Sequence, residues 1–135
     1  MEKPSEVAVL RKICDEARTE GQVTGAHLTQ LREAFGPRFT RAWEAVTGGR
    51  VKRYLFRPSG RVVWVVVGRE REYLIKPAAD FCPCDDFYYR VMDREAHLCY
   101  HLIAQKVAEA LKQYDPVEED DELYETLMAE WRAAP

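Results

Sequence analysis

The residues best suited to chemistry lie in one stretch, Cys82-Pro83-Cys84 followed after fourteen residues by Cys99-Tyr100-His101. Three of the chain's four cysteines fall in this stretch. Zn²⁺ binds thiolate sulfur and imidazole nitrogen in a tetrahedron, and structural zinc sites fill all four positions with protein groups. The spacing therefore predicts a closed structural zinc site built from Cys82, Cys84, Cys99 and a histidine.

Each pair of ligands needs its own local backbone. Pro83 restricts Cys82 to an extended conformation, in which residues i and i+2 face the same side, so Cys82 and Cys84 can present two sulfurs together at a strand end. On a regular helix, residues i and i+2 point about 200° apart. Cys99 must therefore lie at or just before a first helical turn, with His101 reaching back from inside it. A helix N-terminus also favours the thiolate form of cysteine.

Two features of the predicted site stay open at this point. His97 and His101 are spaced i, i+4, which would place both on one helix face, so spacing alone does not choose the histidine ligand. Three thiolates, a neutral imidazole and Zn²⁺ carry a net negative charge, so we expect a nearby cation such as Arg90 or Arg94.

The predicted site is structural, and we expect the protein not to be an enzyme. A zinc ion with four protein ligands leaves no open position for water. The sequence contains neither the H-E-x-x-H pattern of metalloproteases nor the H-x-E and P-C-x-x-C pair of zinc deaminases.

The composition is that of a globular protein without a strong charge bias. The chain has 135 residues and a net charge of −3, which gives no overall nucleic-acid or membrane signature. The longest aliphatic and aromatic run is Val62–Val67, far short of a membrane span of about 20 residues. No signal peptide is visible, so we expect an intracellular protein, cytoplasmic or nuclear if the source is eukaryotic. Clustered cysteines in a reducing compartment are more often metal ligands than disulfide partners.

The elements that must position the site predict an α+β fold. Apolar residues at three- and four-residue spacing predict helices over residues 4–20, 26–35, 37–46, 96–114 and 121–132. Cys14 lies on the apolar stripe of the first helix and is predicted to be a core residue, whereas His27 is predicted to be a surface or packing residue.

Between the third and fourth helices, β-branched and aromatic residues separated by turn signals predict three strands over residues 51–56, 62–67 and 73–76. Their short connections predict a three-stranded antiparallel meander that leads to the cysteines. We expect one compact domain with three segments: N-terminal helices (1–49), the meander with the zinc site (50–114), and a solvated acidic linker with a last helix (115–135).

Two surfaces are candidates for binding. The last helix carries an apolar stripe that could dock in a partner groove or pack on its own core, namely Leu123, Leu127 and Trp131. A basic strip interleaved with Tyr54 and Phe56 could contact the phosphates and bases of single-stranded DNA, or could be a sheet edge kept charged against aggregation. The strip, residues 50–71, comprises Arg50, Lys52, Arg53, Arg57, Arg61, Arg69 and Arg71, of which the first five are the candidate DNA-binding residues.

The pattern C-x-C, a gap, then C-x-H resembles the SWIM zinc finger, in which a β-hairpin leads into the first pair of ligands and a helix carries the second. Cys99 to Ala104 adds a C-x-H-x-x-A extension, which resembles the recombination-mediator branch of that family, the SWIM subunits of Shu complexes. The Ser59-Gly60-Arg61 turn, residues 31–36 and the acidic tail with its last helix are also similar to that branch. The resemblance covers roughly residues 25–131.

The resemblance implies one structural Zn²⁺ held by Cys82, Cys84, Cys99 and His101, which makes His101 the preferred histidine. It also implies a subunit without chemistry of its own that pairs with a RecA-type recombinase paralogue. Such pairs promote the assembly of recombinase filaments on single-stranded DNA during homologous recombination and DNA repair. The sequence leaves the identity of that partner open, and it leaves a homodimer open as well.

Overall fold

The computed structural model describes residues 5–68, 71–79, 82–84 and 98–132. The described helices are α1 (Glu6–Glu20), α2 (Gly25–Phe35), α3 (Pro37–Thr47), α4 (Tyr100–Leu111) and α5 (Tyr124–Arg132), with short 3₁₀ turns at Pro77–Ala79 and Asp121–Leu123. The strands are β1 (Val51–Arg57), β2 (Val62–Val67), β3 (Glu72–Ile75) and β4 (Asp115–Asp120). The α+β class expected from the sequence is confirmed. No helix in the described ranges is long and apolar enough to cross a membrane.

The N-terminal helices begin and end where local chemistry favours a boundary. Ser5 caps α1 by accepting a hydrogen bond from the amide of Ala8 at 3.1 Å. Thr24 and His27 form a reciprocal capping box at the start of α2. The second ring nitrogen of His27 lies 2.6 Å from a carboxylate oxygen of Glu16 in α1. His27 is therefore a buried residue that joins two helices.

Four strands form one mixed sheet in the order β3-β2-β1-β4. β1 pairs with β2 and β2 with β3 in the antiparallel sense, so the predicted meander is present. The three-stranded prediction is nevertheless wrong in extent, because Asp115–Asp120 pairs with β1 in the parallel sense. This acidic segment is not the solvated linker that its charge indicated.

An acidic segment can join the sheet here because β4 is an edge strand. Its acidic side chains remain largely exposed, and an edge tolerates both charge and Pro116. Val117 supplies the apolar contact and packs against the cluster beneath α5. The strand therefore needs little apolar surface of its own.

The sheet separates two hydrophobic clusters. One face packs against α4 and contributes Val51, Trp64, Val66 and Ile75 to the larger cluster, which α1 to α3 complete. The opposite face packs against α5 and contributes Tyr54, Phe56, Val63, Val65 and Leu74 to the smaller one. Burial on both faces explains why β2 is an unbroken apolar run.

Most of the apolar stripe of the last helical segment packs into this smaller cluster. Trp131 is 5% exposed, its ring packs edge-on against Tyr54 at 4.8 Å, and its indole nitrogen donates to Glu72 at 2.8 Å. Leu127 is half-buried against the same cluster, whereas Leu123 stays 44% exposed. Of the two alternatives left by the sequence, the stripe packs on its own sheet.

The β1–β2 turn fixes the start of this C-terminal segment. The backbone amide and hydroxyl of Ser59 donate to the two carboxylate oxygens of Asp121 at 2.9 and 2.7 Å. The guanidinium of Arg61 lies 4.1 Å from the centre of the Tyr124 ring. The Ser59-Gly60-Arg61 turn thus joins α5 to the sheet.

Replacing Trp131 with alanine is expected to lower the free energy of unfolding by about 3–5 kcal/mol, because it leaves a cavity under α5 and removes the hydrogen bond to Glu72. The matched control, Leu123→Ala, removes an exposed side chain of the same segment and should change stability by less than about 0.5 kcal/mol. Equilibrium urea unfolding of both variants measures this. Equal midpoints for Trp131→Ala and the parent would contradict the docking of α5.

Candidate metal centre

The four predicted ligands meet at the junction between the sheet and α4. Cys82 and Cys84 follow the 3₁₀ turn after β3, while Cys99 is the N-cap of α4 and His101 lies in its first turn. All four side chains are buried, and one ligand atom from each lies within 4.8 Å of all the others. A tetrahedral zinc site with Zn–S bonds of about 2.3 Å places its sulfurs about 3.8 Å apart. The cluster is therefore compact enough to hold Zn²⁺.

His101 supplies an independent test of whether the cluster fits a metal. Both of its ring nitrogens are buried, and neither has a hydrogen-bond partner among the described residues. Burying an unpaired polar nitrogen is costly, and ligation removes that cost for one of the two. The rival ligand His97 lies outside the described residues. The Cys₃His donor set fits one structural Zn²⁺ ion.

The thiols of the cluster resist ionisation without a cation. The neighbouring thiols of Cys84 and Cys99, together with burial, raise the pKa of Cys82 far above its usual range. The contact with Cys82 acts to lower the pKa of Cys99, but the Cys84 thiol and burial outweigh it and raise this pKa to about 12. Below these pKa values the metal-free thiols hold their protons, which Zn²⁺ must displace. Zinc affinity therefore falls as the pH falls.

An arginine holds the backbone beside each pair of ligands, Cys82 with Cys84 and Cys99 with His101. Arg71, which precedes β3, donates to the carbonyl of Pro83 between Cys82 and Cys84 at 2.6 Å. Arg38 of α3 donates to the carbonyl of Leu98, the residue before Cys99, at 2.8 Å. Arg90 and Arg94, expected as neighbouring cations, lie outside the described residues. Neither Arg38 nor Arg71 was assigned to the site from the sequence, because their contacts span long stretches of chain and follow no local spacing.

Arg71 also belongs to a stack that reaches His101. Its guanidinium lies 4.5 Å from the centre of the Tyr73 ring, and that ring lies 4.2 Å from the imidazole of His101. Gly68 makes room for Tyr73, since a Cβ atom there would lie 2.6 Å from a ring carbon. The stack fixes the orientation of the imidazole and brings positive charge close to a negatively charged zinc centre.

The remaining cysteine is not part of the site. Cys14 is buried on α1 and its thiol donates to the carbonyl of Lys106 at 3.7 Å. Burial raises the pKa of this thiol to about 11. The expectation of a core cysteine is confirmed.

The basic strip does not form one surface. Side chains alternate along β1, so Lys52 lies on the α5 face beside Glu72, 3.7 Å away, whereas Arg53 and Arg57 lie on the other face. Arg53 lies over the Tyr114 ring, Arg57 pairs with Glu118 at 3.3 Å, and Arg61 covers Tyr124 on the α5 side. Arg50 is half-buried just before β1. The structure therefore distributes the five predicted DNA-binding residues over both faces of the sheet.

Comparison with known proteins points in the same direction as the site. The chain is 26% identical over 117 residues to the zinc finger SWIM domain-containing protein 7 homolog of Dictyostelium discoideum, a match that covers 85% of this chain and 75% of that protein. It is 33% identical over 92 residues to zinc finger SWIM domain-containing protein 7 of Danio rerio, covering 67% of this chain and 65% of that protein. No family model and no solved structure matches the chain.

Substituting Cys99 with serine is expected to abolish stoichiometric zinc binding, because a neutral hydroxyl is a poor replacement for a thiolate ligand. Zinc released from the purified parent by a chelator should amount to one ion per chain, and its removal should change the circular dichroism spectrum as the β3–α4 junction loosens. The matched control is Cys14→Ser, which removes a buried thiol outside the cluster and should retain one zinc. An unchanged spectrum after complete metal removal would contradict a structural role.

Replacing Arg71 with methionine is expected to lower zinc affinity by about 10–100-fold, since it removes both the hydrogen bond to Pro83 and the positive charge. Arg71→Lys should lose less, because it keeps the charge. Competition with a zinc-binding dye measures both affinities, and Arg57→Met serves as the control because it removes an exposed arginine remote from the cluster. Equal affinities for the parent and Arg71→Met would exclude this role.

Proposed function

We propose that the chain is a SWIM zinc finger protein that acts as a non-catalytic subunit of a recombination mediator. In this role it pairs with a RecA-type recombinase paralogue, and the pair promotes assembly of recombinase filaments on single-stranded DNA. The zinc ion holds the fold that presents the partner surface. Such a role places the protein inside the cell, in the nucleus if the source is eukaryotic.

One observation carries the non-catalytic part of this proposal. The Cys₃His cluster is buried on all four residues, so it offers four ligands to zinc and no position for a substrate or water. A metal in such a site stabilises a shape, and the activity of the protein then lies in what binds to that shape.

The recombination role is supported by the residues that resemble the mediator branch. The C-x-H-x-x-A motif has a structural reason here, since Cys99 caps α4, His101 turns toward the cluster and Ala104 is fully buried. The Ser59-Gly60-Arg61 turn holds the C-terminal segment through Asp121 and Tyr124. The features that carry the resemblance are thus the ones that join the finger, the sheet and α5.

Direct binding of single-stranded DNA by this chain is the alternative function. Its candidate residues Arg50, Lys52, Arg53, Arg57 and Arg61 face different directions, and two of them form ion pairs with glutamates. This arrangement favours DNA contact through the partner over DNA contact by the chain alone.

The proposal is tested by co-expressing the chain with RecA-type recombinase paralogues of the same source and purifying the pair through a tag on the paralogue. The zinc-loaded parent should co-purify with one paralogue in a fixed ratio, and the pair should speed recombinase assembly on a fluorescent oligonucleotide. Cys99→Ser should lose both properties, whereas Cys14→Ser should keep them.

The same oligonucleotide separates the two functions. The isolated chain should not bind it at 50 mM salt, while the pair should. Tight binding by the isolated chain that weakens at 200 mM salt would favour the alternative. Failure of every paralogue to co-purify would overturn the mediator proposal.

A further inference from the structure

An open groove of about 680 Å³ lies where the helical layer stops short of the end of the sheet. Its floor is formed by β1 and β2, and one wall by the C-terminal end of α4. The helices cover the sheet as far as Trp64, which is 8% exposed. Trp64 is paired with Arg53, and the next pair on the same face toward the β1–β2 turn is Leu55 with Val62. Val62 is 41% exposed. This end of the sheet, which the helices do not cover, therefore presents an exposed aliphatic side chain.

The aromatic residues of the groove are already engaged. Trp64 and Tyr114 pack edge to face at 5.1 Å, and the guanidinium of Arg53 lies 5.9 Å from the centre of the Tyr114 ring. Base stacking needs a free aromatic face, but Trp64 is buried and the Tyr114 ring is contacted by both Trp64 and Arg53. Among the apolar side chains that line the groove, Val62 is the exposed one, whereas Ala110 is buried. This chemistry suits an apolar side chain better than a nucleobase.

The rim of the groove is basic. Arg18, Arg53 and Lys112 line it with one carboxylate, Glu109, which accepts a hydrogen bond from the buried amide of Gln105 at 2.7 Å. Within the described part of the chain, Arg53 and Lys112 take part in no ion pair, whereas Arg18 pairs with Asp15 on the exposed face of α1. The rim therefore has positive charge to offer to carboxylates.

Lys112 gives an independent indication of function. It ends α4 in the left-handed conformation with φ of 54°, and it is the one residue other than glycine that has a positive φ in the described chain. Glycine is the favoured residue at such a position because a Cβ atom is strained there. A long cationic side chain held in a strained conformation at a groove is a reason to look for a ligand.

We propose that this groove docks a segment of a protein partner that carries one bulky apolar side chain flanked by carboxylates. The apolar side chain covers Val62, and the carboxylates pair with Arg53 and Lys112. The inference rests on the proposed function as an interaction module, and it names the surface and the chemistry of the segment that the surface takes.

Synthetic peptides provide a defined probe. Three fluorescent nonapeptides are compared by anisotropy: a leucine in an Asp/Glu host, an alanine in the same host, and a leucine in a Lys host. Only the acidic leucine peptide should bind, and its affinity should fall at least tenfold between 50 and 300 mM salt. Equal binding of all three peptides, or binding of none, would overturn the proposal.

Variants locate the binding to the groove. Val62→Asp and Lys112→Glu should each weaken the acidic leucine peptide at least tenfold, while Arg57→Glu, on the same sheet face but outside the groove, should leave its affinity unchanged. Lys112→Gly separates binding from folding, since relief of the strained conformation should raise the melting temperature while peptide affinity falls. A peptide affinity that survives both Lys112 variants would overturn the assignment.

The same set of proteins tests two other occupants of the groove, a single-stranded nucleic acid and a second copy of the chain. Oligo(dT) that competes with the peptide and loses affinity in Val62→Asp would identify the groove as a nucleic-acid site and overturn the proposal. Concentration-dependent dimerisation of the parent in sedimentation that Val62→Asp abolishes would identify a second copy as the occupant. If a recombinase paralogue co-purifies equally with the parent and with Lys112→Glu, this groove is not the partner surface, although the mediator function itself would stand.

Discussion

The structure depends on a buried cluster of metal ligands, three cysteines and one histidine. Its thiols become negatively charged thiolates only when a bound cation balances that charge. Three thiols and an imidazole meet within 4.8 Å in the interior, where the thiols of Cys82 and Cys99 have raised pKa values. Without a metal, the cluster is four buried polar groups in which the thiols contact one another and the His101 nitrogens lack a hydrogen bond among the described residues. With Zn²⁺ it becomes a cross-link between the end of the meander and the start of α4. A domain of this size gains much from such a cross-link, because its core alone is modest.

The position of this cross-link matters because α4 is the central helix. From His101 to Ala110 its side chains are buried almost all round, which is typical of a helix inside a core. Arg38 and Arg71 hold the two backbone segments that carry the ligands, one from the helical layer and one from the β2–β3 connection. These hydrogen bonds therefore connect the zinc site to the helical layer and to the sheet.

Features governed by local chemistry could be predicted from the sequence. The meeting of Cys82 and Cys84 with Cys99, the placement of Cys99 at the start of a helix, and the three strands of the meander follow from residue spacing, backbone preferences and side-chain periodicity. The parallel pairing of β4 with β1 could not be predicted, because Asp115–Asp120 looks like a solvated acidic run and its partner strand lies about 60 residues earlier in the chain. The packing partner of α5 could not be predicted either, because an apolar stripe shows that a helix packs against something but does not identify the surface.

The two faces of the sheet differ in how completely they are closed. On one face, Trp131 and Tyr124 cover the aromatic residues of β1, and Ser59 and Asp121 hold this cover in place. On the other face, the helical layer ends at Trp64 and leaves Val62 beside basic side chains. A partner segment that carries carboxylates beside an apolar side chain complements this surface, because it covers Val62 and pairs with the basic rim. The zinc site and α5 therefore stabilise the sheet, and the groove at the end of α4 is a part of its other face that the helices leave open.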